Sequence, residues 1–184
     1  MSTDDRSTKI AMAFFLAAEG MFFAGLISAY WVLRAQFISW PPMGQPRLPI
    51  TVTAVNTVIL LLSGLAMGQT GAALKRGNLA GLVWWLGLSA LGGLFFLGIQ
   101  GYEWIQLIRF GLTTALNIYG GTFYIIVGAH AAHVMAALAV LLVVFFRAVY
   151  RRYSALNQAG VIAARMFWIF VVLVWPILYA LLYF

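Results

Sequence analysis

Four side chains in this sequence combine reactive chemistry with surroundings that discourage it: Glu19, Glu103, His130 and His133. Glu19 sits in Ala17-Ala18-Glu19-Gly20-Met21-Phe22-Phe23. An ionised carboxylate left alone in such an apolar run is strongly disfavoured, so Glu19 is expected to be protonated, paired, or in touch with water or a lipid headgroup. Its plainer role would be a neutral acid bonded to a neighbouring helix. Glu103, in Gln100-Gly101-Tyr102-Glu103-Trp104, lies among aromatic residues and reads as a hydrogen-bonding anchor at interfacial depth. His130 and His133 stand at i and i+3 on one helix, which puts them on one face. Two imidazoles so placed could ligate a metal or haem, but further ligands are scarce, and hydrogen bonds between helices are the favoured expectation.

Much other chemistry is excluded. The chain has no cysteine, which removes disulfides, thiolate metal sites and thiol nucleophiles together. There is no Ser beside a His, no Gly-x-Ser-x-Gly and no phosphate-binding loop. A formal charge of +7 does not signal nucleic acid, because the basic residues are spread over several short connections.

The elements that carry these residues are set by composition. Hydrophobic residues make up 64% of the 184 and charged ones 8%, where a soluble domain needs about 25% charged. The bilayer is the solvent that fits. A span needs roughly 20 apolar residues, and five stretches qualify: Ile10 to Leu33, Pro49 to Gly68, Leu79 to Ile108, Ile118 to Phe146, and Gly160 to Phe184. Between them, Trp40-Pro41-Pro42-Met43-Gly44-Gln45-Pro46 cannot be helical, and Lys75-Arg76-Gly77-Asn78 reads as a tight polar turn. Asn56, Thr57, Tyr119 and Thr122 are expected to bond across helices, with Gly92, Gly93, Gly120, Gly121 and Gly128 admitting close backbone approach. The fold expected is an all-α membrane bundle of five transmembrane helices, one domain over residues 1–184. No cleavable signal is expected, since the first nine residues are polar and the following apolar run is too long for one. Arg6, Lys9, Lys75, Arg76, Arg147, Arg151, Arg152 and Arg165 fall on one side, against Arg34, Arg47 and Arg109 on the other. This excess puts the N-terminus in the cytoplasm and the C-terminus on the opposite side. Arg147, Arg151 and Arg152 are then candidates for contact with lipid headgroups.

Several stretches, in order, resemble the cytochrome c oxidase subunit III family. Ala18-Glu19-Gly20-Met21-Phe22-Phe23 is similar to its Ser-Glu-x-x-Phe-Phe segment. Trp40-Pro41-Pro42-Met43-Gly44-Gln45-Pro46-Arg47-Leu48 matches its Trp-Pro-Pro connection, and Val55-Asn56-Thr57 its Leu-Asn-Thr. Gln100-Gly101-Tyr102-Glu103-Trp104 resembles Gln-x-x-Glu-Tyr. The fourth span carries the strongest likeness, in Tyr119-Gly120-Gly121-Thr122-Phe123-Tyr124 and Gly128-Ala129-His130-Ala131-Ala132-His133-Val134. The last span departs from the family. Where the family has Trp-His-Phe-Val-Asp-x-x-Trp, Ile169 and Val172 replace the His and the Asp between Trp168 and Trp175. The chain also lacks the two N-terminal helices of the seven-helix form and is similar to the five-helix bacterial one.

The resemblance implies a subunit with no haem, copper or other redox cofactor of its own, those groups residing in partner subunits. Its implied partners are the haem–copper oxidase catalytic subunit I, subunit II, further small subunits or a larger respiratory supercomplex, and membrane phospholipids. The implied setting is the bacterial cytoplasmic (inner) membrane. Glu19 falls at the family's carbodiimide-reactive glutamate, and Glu19, Glu103, His130 and His133 become candidates for proton uptake or a lipid cleft. The alternatives are an accessory subunit of a quinol oxidase or nitric oxide reductase, a small proton-coupled transporter built on Glu19, or a haem protein ligated by His130 and His133.

Overall fold

The computed structural model describes residues 3–38, 40, 48–111, 118–153 and 158–184. The Pro41–Pro46 connection and Arg47 lie outside them. Five helices follow in order: α1 Thr3–Arg34, α2 Ile50–Lys75, α3 Leu79–Arg109, α4 Ile118–Val149 and α5 Ala159–Tyr183. Each is long and apolar enough to cross a bilayer, and no strand occurs among the described residues. All five expected spans are therefore helices, and two of them run further than apolarity alone indicated. α1 starts at Thr3 rather than Ile10, with Asp4 and Asp5 in its first turn, where acidic side chains complement the helix dipole. Asp5 is consequently buried in α1 rather than lying in a free tail. α2 runs past Gly68 to Lys75, since a helix continues beyond the hydrocarbon until something stops it.

The stop is Gly77. Its φ of +67° suits a residue without a Cβ, and the Asn78 N–H bonds to Ala73 O at 2.9 Å while the Gly77 N–H reaches Leu74 O at 3.0 Å. This arrangement satisfies the last carbonyls of α2. Asn78 then caps α3, its Oδ1 accepting from the Gly81 N–H at 2.8 Å. The same closure ends α4, where the Arg152 N–H bonds to Arg147 O at 2.9 Å. There the left-handed position is held by Arg151, φ 54°, at a cost of about 1 kcal/mol relative to glycine.

α2, α3, α4 and α5 form a ring in which each packs on its two neighbours, while α1 lies outside, against α5 and, less, α4. Small residues set the ring's tightness. A Cβ on Gly92 would stand 2.6 Å from Ser63 Cβ, one on Gly64 would stand 2.8 Å from Val172 Cγ1, and one on Gly93 would overlap the Trp168 indole. Two indoles fasten α5 to α2: Trp168 Nε1 donates to Ser63 Oγ at 3.2 Å and Trp175 Nε1 to Thr57 Oγ1 at 2.9 Å. Asn56 fastens α2 to α3, its Nδ2 donating to Phe96 O at 3.2 Å. Thr122 instead bonds within its own helix, to Ile118 O, and Gly128 crowds nothing, its nearest neighbour being Trp104 at 3.7 Å.

One end of the bundle carries Arg34, Ile50 and Phe184; the other carries Lys75, Arg76, Arg147 and Arg152.

Candidate functional site

Glu19 on α1 and His133 on α4 meet. Glu19 Oε2 lies 2.8 Å from His133 Nε2, and His133 Nδ1 lies 2.7 Å from Ala129 O. A carbonyl only accepts, so Nδ1 carries a hydrogen and donates to it. Nε2 and the carboxyl must then share one further proton. Either the acid donates to a neutral imidazole, or an imidazolium faces a carboxylate; an ionised Glu19 opposite a bare Nε2 would set two acceptors against each other. Both permitted forms have zero net charge, which is what hydrocarbon tolerates. The side chains are 22% and 19% exposed, so the pair is reachable from the face left open beside α1. Phe22 stacks on the His133 ring at 5.7 Å and Phe23 meets it edge-on at 5.0 Å.

His130 is separated from its neighbour by its contacts as well as its position. Successive residues three apart differ by about 60° around a helix, and His133 turns to α1 while His130 turns into the ring. His130 is buried and stacks on Trp175, with ring centroids 5.0 Å apart. Phe96 and Phe23 meet its edges. Neither of its nitrogens has a hydrogen-bond partner among the described residues. The expectation of helix-to-helix hydrogen bonding thus describes His133 and not His130. Among the described residues no group of three or more His, Cys, Asp or Glu gathers as a metal site would require.

Glu103 is 4% exposed and shares nothing with Glu19 except its type. Thr53 Oγ1 lies 3.0 and 3.1 Å from its two oxygens and 2.9 Å from Pro49 O, and Gln100 Nε2 donates to Glu103 Oε2 at 3.2 Å. Thr53 has one hydroxyl hydrogen for these acceptors. A protonated Glu103 resolves the shortage: its O–H donates to Thr53 Oγ1, which donates onward to Pro49 O, while Gln100 serves the second carboxyl oxygen. Tyr183 stands beside Thr53, Gln100 and Glu103, with its hydroxyl outside full hydrogen-bond geometry to any of them.

At the opposite end Arg147, Arg152, Tyr153, Ala159 and Gly160 line a cavity of about 390 Å³. Tyr150 joins Arg147 and Arg152 on the adjoining surface, and Arg151 is exposed beside them. Tyr153, in the connection outside the spans, is buried. Burial pushes its hydroxyl above the usual tyrosine range, opposed by the charge of Arg147. Sequence reading missed Thr53, Tyr153 and Tyr183. For Thr53 a signal existed, one helical turn before Asn56 and facing α3 with it; for the two tyrosines there was none.

Comparison with known proteins decides the family. The model of the family described as cytochrome c oxidase subunit III matches residues 3–184. The chain belongs to that family. It is 39% identical over 170 residues to "Cytochrome c oxidase subunit 3" of Synechocystis sp., covering 92% of this chain and 72% of that one. The protein of the same name from Thermostichus vulcanus is 35% identical over 177 residues (95% and 85% covered). That from Corynebacterium diphtheriae is 35% identical over 173 residues (92% and 84% covered). The chain is thus a multi-pass membrane subunit III of a haem–copper oxidase. Within this family Val172, in place of the expected Asp, is packed onto Gly64. Ile169, in place of His, is half-buried. Trp168 and Trp175 keep their bonds to α2.

Proposed function

We propose that this subunit III serves without redox chemistry of its own. It packs against the catalytic subunit of a cytochrome c oxidase in the bacterial inner membrane and supports that subunit's proton uptake and stability. Haem and copper would reside in subunits I and II, where oxygen is reduced. The N-terminus would face the cytoplasm, so the Arg147 end would lie at the inner headgroups. There Arg147, Arg151 and Arg152 would meet phospholipid phosphates, each attracting an anionic lipid by about 1 kcal/mol.

The observation that carries the reading is the 2.8 Å contact between Glu19 and His133, both partly exposed, where a lipid or a partner helix can reach it. A group that must hold a proton in order to exist, at an accessible flank of the bundle, is suited to passing protons toward a neighbouring subunit. A hydrophobic carbodiimide reacts with a protonated, lipid-accessible carboxyl. Treatment of the assembled complex in membranes should modify Glu19, leave Glu103 untouched and lose the modification in Glu19→Gln. No label on Glu19 would reject the reading. Gentle purification of the tagged chain should bring a haem–copper subunit with it.

A further inference from the structure

The Glu103 cluster adjoins a cavity of about 230 Å³ at the Phe184 end, lined by Tyr30, Arg34, Trp40, Tyr119 and Tyr183 together with apolar residues. Tyr183 belongs to both the cavity wall and the cluster. Water occupies about 30 Å³ per molecule in the liquid, so the cavity has room for several. Three buried polar atoms near the carboxyl meet no described residue in full hydrogen-bond geometry: Tyr183 Oη, which stands beside Gln100 and Thr53, Gln100 Oε1 and, one turn further in, Asn56 Oδ1. They come from α5, α3 and α2, the three helices that surround Glu103. Buried polar atoms are nearly always satisfied, by protein or by ordered water. The nearest charged group in the cavity wall is Arg34, and its guanidinium is engaged by aromatic rings, 6.0 Å from the Tyr30 centroid and 5.5 Å from that of Trp31. The other titratable groups facing the cluster are the neutral phenols Tyr30, Tyr119, Tyr179 and Tyr183. Glu103 therefore has neutral donors around it and no paired cation among the described residues.

We propose that internal water fills this cavity and continues past Tyr183 to Gln100 and Asn56, making Glu103 a second proton-holding carboxyl that exchanges with the aqueous phase at the Phe184 end. The site is independent of the Glu19–His133 pair, which lies on the other side of the ring wall and opens to the flank of α1. Its ligands are a proton and a short file of water. The acid form satisfies the Thr53 and Pro49 contacts, and the file supplies partners for the three buried atoms.

Infrared difference spectroscopy of the whole oxidase complex tests the proposal. The wild-type complex should show a protonated-carboxyl C=O band that is lost in Glu103→Gln, kept in Glu19→Gln, and shifted to lower frequency within minutes of transfer to D₂O. Survival of every carboxylic band in Glu103→Gln overturns the protonated state. A band that is lost in Glu103→Gln but ignores D₂O overturns the hydrated route. If Glu103→Gln does not assemble, Thr53→Val keeps the acid while removing its hydroxyl partner. The D₂O-sensitive band must then move to higher frequency, and an unmoved band overturns the assignment. Absence of carbodiimide label on Glu19 of the wild-type complex, with these bands intact, would reject the uptake reading and leave this one standing.

Discussion

The chain places two glutamates in one membrane and treats them oppositely. Glu19 is fastened across two helices to a basic partner at an open flank, and the pair works as a unit that holds one proton in either of two places. Glu103 is enclosed by neutral donors, Thr53 and Gln100, in the wall of the ring. The first arrangement gives the carboxyl a titratable partner at 2.8 Å; the second favours a neutral acid, which frees the Thr53 hydroxyl hydrogen for Pro49 O. A carboxyl in hydrocarbon thus persists by having a partner that can accept its proton or by resting as a neutral acid among neutral donors. Accessibility follows from the same choice, since a paired group can sit near the lipid while an unpaired one has to be enclosed.

Substitutions can break this contrast. Glu103→Ala should have the largest effect, destabilising the subunit by about 2–4 kcal/mol through the cavity and the stranded Thr53 and Gln100, read as earlier thermal dissociation of the complex. Glu103→Gln should cost under about 1 kcal/mol, because an amide N–H can replace the acid O–H toward Thr53 Oγ1; a loss as large as that of alanine would mean that the carboxyl is ionised. His133→Leu leaves the Glu19 proton without an acceptor and should weaken the hold on α1 by about 1–2 kcal/mol, read as faster proteolysis near Arg34. Glu19→Gln should weaken it less, since its amide can still donate to Nε2. Tyr153 provides a weak control beyond the bilayer. Its hydroxyl is held above its ordinary value near 10, so the unfolded chain ionises first and stability falls as pH rises past that point. Tyr153→Phe should flatten that fall and change little at neutral pH.

Apolar run length and punctuation made the five spans readable, and Gly77 and Asn78 marked the turn that joins α2 to α3. The helix ends were less readable, because polar residues such as Asp5, Gln69 and Lys75 leave the hydrocarbon without leaving the helix. Glu19, Glu103 and the histidines stood out because ionisable groups are rare in such runs. Their partners did not, since no pattern within a helix says which neighbour it will face. The i, i+3 spacing joined His130 to His133, whereas the 60° between them is enough to send one into the ring and the other to α1. The frame of Trp168 and Trp175 hid a different kind of departure: with Val172 seated on Gly64, α5 meets α2 through an apolar contact where a carboxyl was expected.

The place of α1 outside a ring that closes without it has a bearing on biogenesis. α1 precedes the other four helices in the chain, yet its docking surface is supplied by α5 and α4, the last two. Until α4 is in place Glu19 has no His133 to meet. The Tyr30 hydroxyl, which reaches Leu181 O at 3.1 Å, and the Phe15–Phe167 edge contact can form only after α5 is inserted. The seating of α1 therefore depends on the helix farthest from it in the chain, and a chain cut before α5 would leave α1 without most of its surface.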